Sequence, residues 1–444
     1  KRAQWIDKYL ASPEFAANRA GIWTNWLLPR GVGSPLQRQQ LNLWLEETGS
    51  KLNYQQMVEQ LIAATGKTND VGSVNFLLGN LGMATPADKQ AEEGYFDMVP
   101  ATSRILRLFL GYRLSGDTLP DHPSHPDFKP EQFWGVNAFL RQTQRYGATT
   151  VLELKDNPSV NSKGEVAFQD KDGKKQTTAA VFLDGRKLPA DGKKTRRQVL
   201  AEYVTSHPNF TKAYANRMWG HFFGRGLNER PAVDDFGSHN KVVHPELLDR
   251  LAADLAAAKY NPRPIVRAMC NSDVYQLKSV TNATNAKDDQ EVYFSRMPLK
   301  LLTPEQVTAS ALTLLQPGKK ADVAPLPKLA GAAEGHITRR LTGGAWEDLP
   351  VQDRIIINVS LLNLRDLNDA ILTSADGPVA RAVALKEPGK VVEEMYLIGL
   401  NRRPTEKETA QLKTLIDKET KDLTNVWQDL FWALINSSEF ILNH

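Results

Sequence analysis

The sequence predicts a mainly α, multi-helical fold with a small antiparallel β insertion, and three observations lead there. Apolar residues recur at three- and four-residue spacing through most of the 444 positions. Short strand-like runs bounded by turn residues are confined to one tract, residues 149–188. Composition is that of a globular chain, 41% apolar and 24% charged, with enough length for two or three domains.

The first helical stripe holds Trp5, Ile6, Tyr9 and Leu10, then Phe15, Ile22, Trp23, Trp26 and Leu27. Ser12-Pro13-Glu14 interrupts it, with Ser12 as an N-cap and Pro13 in the first turn of the next helix. Residues 35–47 form a further helical segment. Residues 53–64 follow, with Tyr54, Met57, Val58, Leu61 and Ile62 on one face. Residues 97–114 carry Ile105, Leu106, Leu108, Phe109 and Leu110 in the same pattern. A loop dense in Pro, Asp and His spans 116–130. It leads into a helix predicted over 131–143, with Phe133, Trp134, Val136, Phe139 and Leu140.

The pattern then changes. Val151 to Leu154, Val166 to Phe168 and Ala180 to Leu183 read as strands, separated by turn signals at Asn157-Pro158 and Asp172-Gly173. Helical spacing resumes over 195–219, 244–258 and 264–277. A non-periodic loop rich in Pro, Ala, Gly and Lys at 317–333 precedes helices over 361–372, 390–400, 405–423 and 426–435. The expected segments are a helical domain at 1–148, a β insertion or linker at 149–190 and a helical domain at 191–444. The apolar closing stretch, with Phe431, Trp432, Phe440 and Ile441, is expected to dock into the fold.

Bulk properties exclude several classes. With 55 Lys+Arg against 51 Asp+Glu, interspersed, the +4 charge supports neither nucleic acid nor a membrane surface as partner. The one cysteine, Cys270, rules out an intramolecular disulfide and a Cys-based zinc site. It shares an apolar stripe with Ile265, Val266 and Met269, which reads as a small buried hydrophobe rather than a nucleophile. No apolar run approaches the roughly 20 residues that span a bilayer. No secretory leader precedes Trp5, so a processed chain or one piece of something longer is expected. No phosphate-binding glycine loop, serine nucleophile elbow or His-Glu-x-x-His motif occurs.

Several stretches, in order along almost the whole chain, carry a resemblance. They are Lys8-Tyr9-Leu10-Ala11-Ser12-Pro13-Glu14-Phe15, then Phe182-Leu183-Asp184-Gly185 and Asn216-Arg217-Met218-Trp219-Gly220-His221-Phe222-Phe223-Gly224-Arg225-Gly226-Leu227. Val233-Asp234-Asp235-Phe236, His244-Pro245-Glu246-Leu247-Leu248-Asp249 and Asn271-Ser272-Asp273-Val274-Tyr275-Gln276-Leu277 follow. Leu400-Asn401-Arg402-Arg403-Pro404-Thr405 and the final stretch from Trp432 to His444 close the series. Together they resemble the paired domains of unknown function attached to planctomycete cytochromes. The resemblance implies a cytochrome-like domain over 1–148 and a planctomycete-specific domain over 191–444. It also implies an extracellular, periplasmic or cell-envelope location, and no settled activity.

Many members of that family carry Cys-x-x-Cys-His-x-His-Pro after the corresponding helix. Two thiols tether haem c there and the histidine ligates its iron. Here Leu110-Gly111-Tyr112-Arg113-Leu114-Ser115 runs on to His122-Pro123, and Gly116, Leu119 and Pro120 occupy the two cysteine positions and the ligand position. Glycine and leucine form no thioether and proline cannot ligate iron. Covalent haem c is therefore excluded, and no cofactor is expected.

Two clusters are candidates for chemistry. Asp121, His122, His125 and Asp127 offer imidazole and carboxylate to a divalent metal. Against this, aspartates in such loops commonly cap or turn the backbone, and His-Pro pairs hold it extended, separating the rings. The second cluster joins Arg217, His221 and Arg225, which share one face if the helix reaches that far, to Asp234, Asp235, His239 and His244. Asp234 and Asp235 could act as acid and base, or orient His221. The competing reading is a buried ion-pair network locking the Gly224-Arg225-Gly226 turn. Trp5, Trp23, Trp26, Trp44, Trp134, Trp427 and Trp432 could stack on sugars, but their helical spacing reads as core.

The expected function is that of a secreted or cell-surface structural or interaction protein without haem, leaning away from catalysis, with protein partners or a homo-oligomer. Two alternatives stand beside it. One is binding or hydrolysis of extracellular polysaccharide, and the other is a subunit of a redox assembly whose haem sits on a partner.

Overall fold

The computed structural model describes residues 1–48, 50–114, 127–147, 151–170, 173–315, 329, 331–333, 335–337, 346, 349–418 and 423–443. The fold is mainly α with small antiparallel sheets, and it divides into two units, Lys1–Pro298 and Leu299–His444.

In the first unit, local capping sets the helix boundaries. Ser12 Oγ accepts a hydrogen bond from the Phe15 amide at 3.2 Å, dividing α1 (Arg2–Leu10) from α2 (Pro13–Leu27). Ser34 and Gln37 form a reciprocal capping box at the start of α3 (Pro35–Glu47), and Asn53 and Gln56 do so for α4 (Tyr54–Ala63). The short helices α5 (Asn75–Gly79) and α6 (Gln90–Glu93) lead to α7 (Val99–Leu110). This last helix stops at Gly111, whose φ of +70° is left-handed. A Cβ at Gly111 would come within 2.5 Å of the Phe236 ring, so the close approach also requires glycine.

The helix predicted over 131–143 is shorter than expected. It runs as α8 (Pro130–Ala138), and β2 (Thr143–Tyr146) then pairs with β3 (Glu153–Asp156). The other edge of β3 pairs with β1 (Gly66–Lys67), giving an antiparallel sheet of order β1-β3-β2. A separate hairpin joins β4 (Glu165–Gln169) to β5 (Lys175–Ala179). Ala180 to Leu183 is not a strand, because the turn at Gly185 leaves only one bridge there, between Val181 and Lys187.

The helix expected over 195–219 is two, α9 (Arg196–Thr205) and α10 (Asn209–Phe223). Pro208 breaks it by disfavouring helical backbone at His207 and starting the next helix. Then come α11 (Pro245–Ala257) and α12 (Arg263–Asn271), the latter followed by a 3-10 turn at Val274–Gln276 rather than a continuous helix to 277. Phe109, Leu154, Phe182, Phe210 and Phe223 belong to one buried cluster, so the β tract packs into the same core as the helices before and after it. Arg197, 1% exposed, fastens this arrangement. It donates to Asp156 Oδ1 at 2.7 Å and, from the other end of its guanidinium, to the Ile62 and Ala64 carbonyls at the end of α4.

The second unit contains α13 (Pro304–Leu315), α14 (Val351–Leu362), α15 (Arg365–Thr373), α16 (Pro378–Val383) and α17 (Pro388–Leu400). It continues with α18 (Glu406–Lys418), α19 (Thr424–Ile435) and α20 (Ser438–Ile441). The stretch 361–372, expected as one helix, is a corner between α14 and α15. The loop expected at 317–333 lies largely outside the described residues. The closing stretch docks in part: Phe431, Phe440 and Ile441 are buried and β7 (Leu442–Asn443) pairs with β6 (Lys300–Leu301), but Trp432, like Trp5, is exposed rather than core. Arg402 spans Glu408 and Glu439 through hydrogen bonds of 2.6–2.9 Å, fastening the turn after α17 to α18 and α20.

Candidate functional site

The loop from Gly224 to His244 follows α10 and folds back on itself through isolated bridges, Asn228 to Val242 and Gly237 to Asn240. Three buried asparagines brace it. Asn216 Nδ2 donates to Asn228 Oδ1 at 2.6 Å and to the Val233 carbonyl at 2.8 Å. Asn228 Nδ2 donates to the Asn240 carbonyl at 3.0 Å, and Asn240 Nδ2 to the Asp235 carbonyl at 3.0 Å. The Phe236 amide donates to the Gly111 carbonyl at 2.7 Å, tying the loop to the end of α7. The aspartates thus sit on a backbone held by the loop's own asparagines, by Asn216 on α10 and by the end of α7.

Asp234 is 4% exposed and faces three arginines. Its Oδ2 accepts from Arg107 Nε at 2.7 Å and Arg217 Nη2 at 3.1 Å, and Arg113 Nη2 stands 3.6 Å from Oδ1. Burial acts to raise its proton affinity, but the positive charges of Arg107, Arg217 and Arg113 outweigh it and hold the carboxyl well below the usual carboxylate range. Arg217 also lies over the Trp26 ring, its guanidinium carbon 5.3 Å from the centroid. Asp235, 6% exposed, pairs instead with His239, Nε2 to Oδ1 at 3.1 Å.

The expected residues are therefore brought together in part. Arg217 and Asp234 meet, as do Asp235 and His239. His221 packs edge-on to Trp26 at 6.0 Å and to Phe222 at 5.3 Å. Arg225 does not share a helix face with Arg217 and His221, because Gly224, at φ +82°, ends α10 first. Its Nη2 donates to the Asn228 and Glu229 carbonyls. Burial lowers its proton affinity, partly offset by the charge of Glu291. His244 lies elsewhere, its Nε2 2.8 Å from the Val292 carbonyl.

Arg107, Arg113 and the asparagine braces were not among the sequence candidates. One signal was available for Arg107: a charged residue set between Leu106 and Leu108 in an apolar helix asks for a partner. A second signal was the spacing of Asn216, Asn228 and Asn240 around a glycine-rich turn.

Of the other candidates, Gly116, Leu119, Pro120, Asp121, His122 and His125 lie outside the described residues. Asp127 is described, and its Oδ2 accepts from the Ser238 amide at 2.7 Å. Among the described residues no group of three His, Cys, Asp or Glu side chains could hold a metal ion, and no helix is long and apolar enough to cross a membrane.

No curated protein matches this chain, and no solved structure does. Residues 196–323 match the family model PSD1, described as a protein of unknown function (DUF1553). The matched stretch begins at α9, takes in Arg217, Asp234, Asp235 and the loop after α10 but not Arg107 or Arg113, and ends beyond α13.

Proposed function

We propose that this chain is a non-catalytic structural or interaction protein of the secreted or cell-surface class, a haem-less relative of the planctomycete cytochrome-associated proteins that it resembles. One observation carries the reading. The two carboxylates best placed by sequence to serve as acid and base are drawn to separate partners, Asp234 among three arginines and Asp235 beside the His239 ring at 3.1 Å. A general acid needs a raised proton affinity, and Asp234 is driven the opposite way. Among the described residues, those facing Asp234 are arginines rather than further carboxylates. The location outside the cytoplasm rests on the sequence resemblance, and the partners are proteins or further copies of the chain.

The test is made on the purified native protein, by light scattering after size exclusion with absorption recorded through the haem region, and by reducing-end release from a panel of polysaccharides. A defined multimer or partner complex without a Soret band or sugar release is the expected result. Sugar release lost in a folded Asp235→Asn variant would establish the hydrolase instead, and a Soret band in the chain alone would establish a redox role.

A further inference from the structure

The helix α1 has one buried residue, Leu10, with Ile6 half-buried beside it. At nine residues it is too short to hold its shape alone in water and needs a seat. That seat is a face of α2, α10 and α12, all within the first unit. A recess of about 330 Å³, lined also by Ile6 and Leu10, remains between the helix and this face. The packing of α1 is therefore loose.

The polar fastenings of α1 are exposed and come from far along the chain. Arg267, on α12, donates to both oxygens of Asp7 at 2.5 and 3.0 Å, across 260 positions. Arg2 donates to the Asn271 carbonyl at 2.8 Å, across 269 positions. The two-pronged match of guanidinium to carboxylate specifies which helix lies on the seat and in what register. Neither contact depends on neighbourhood in sequence, so the α1 of another copy makes both equally well.

The link from α1 to α2 is Ala11-Ser12. Beyond it α2 begins on its own terms, with Ser12 Oγ capping the Phe15 amide and Pro13 in the first turn. So α1 leaves without fraying α2. A short link of this kind invites exchange of the element it carries, because folding back bends the link and exchange lets it extend. The helix also carries a surface that a lone copy leaves wet. Trp5 and Tyr9, one turn apart, stack at 6.1 Å and stay 53% and 63% exposed. Exchanged helices pass each other near their links, and covering these rings there favours the exchanged form.

We infer that α1 is exchanged between two copies of this chain, each helix seated on the α2, α10 and α12 face of the other. The inference rests on reading the chain as an assembling protein, and it names a second copy as the partner.

The experiment reverses the charges separately in two full-length chains, Asp7→Arg and Arg267→Asp. Alone, each variant sets like charges against each other in every seat, and a weakened dimer is expected by light scattering. Mixed, they pair opposite charges in both exchanged seats, so the mixed dimer is expected to exceed either homodimer about tenfold by native mass spectrometry. Inserting Gly-Ser-Gly-Gly between Ala11 and Ser12 relaxes the link and is expected to weaken the wild-type dimer about tenfold. Should a charge variant fail to fold by circular dichroism, the inserted chain decides. A mixture without preference for the mixed dimer, or an inserted chain as dimeric as the wild type, overturns the exchange and leaves the assembly reading standing. A wild-type chain that stays monomeric and takes no partner overturns both.

Discussion

Asp234 is the residue on which the loop after α10 turns, because two of its three arginine partners reach it from α7 and its far end rather than from its own neighbourhood. Removing its charge would leave Arg107 and Arg217 in a poorly hydrated place without compensation. Asp234→Asn is therefore expected to cost about 3–5 kcal/mol, read as a lower midpoint in urea. The acid side follows from the same contacts. The folded carboxyl titrates below its unfolded value near 3.9, so its stabilisation is complete above that value and drains away as pH falls toward the folded one. Urea midpoints at pH 5 and pH 3 are expected to drop steeply in the wild type and less so in Asp234→Asn. Gly111→Ala is expected to destabilise by more than about 1 kcal/mol, since alanine meets both a left-handed φ and the Phe236 ring. The sequence places Arg217 with Asp234, but not Arg107 or Arg113. Arg107 lies 127 positions from Asp234, and only the fold places them in contact.

At the scale of elements, what was legible follows from local physics. The start of α2 and the faces of α4 and α7 could be read because cap, first-turn proline and apolar spacing are encoded within a few residues. The sheet was harder, since β1 and β2 are short and β1 meets β3 across more than eighty residues of chain. Arg225 was misplaced for another reason: regular spacing continues past Gly224, but the helix does not. Two element-scale outcomes can be measured. Arg197→Leu deprives the Ile62 and Ala64 carbonyls of their donor and Asp156 of its cation, at an expected cost of about 3 kcal/mol or more, seen as a lowered melting temperature. Asp7→Asn weakens the attachment of α1 to α12, and faster alkylation of Cys270 with little change in melting is expected, because the pair is exposed.

Among the described residues stand two buried clusters with no residue in common, one around Trp23, Phe109 and Phe210 and one around Leu361, Met395 and Phe431. In the second, Arg402 draws Glu408 down to about 2 through their hydrogen bonds, although both groups remain partly wet. Arg402→Ala is accordingly expected to cost only about 1 kcal/mol, with faster amide exchange in α17 to α20 and unchanged exchange around Asp234. Slowed or quickened exchange at Asp234 would mean that the two clusters melt as one. The short ladder of β6 and β7 has a topological corollary. Leu301 and Leu442 are partners across it, so two positions far apart in the chain stand side by side in this body. A segment bounded by adjoining positions, such as 301–442, can be spliced into a surface loop of another protein without stretching the chain.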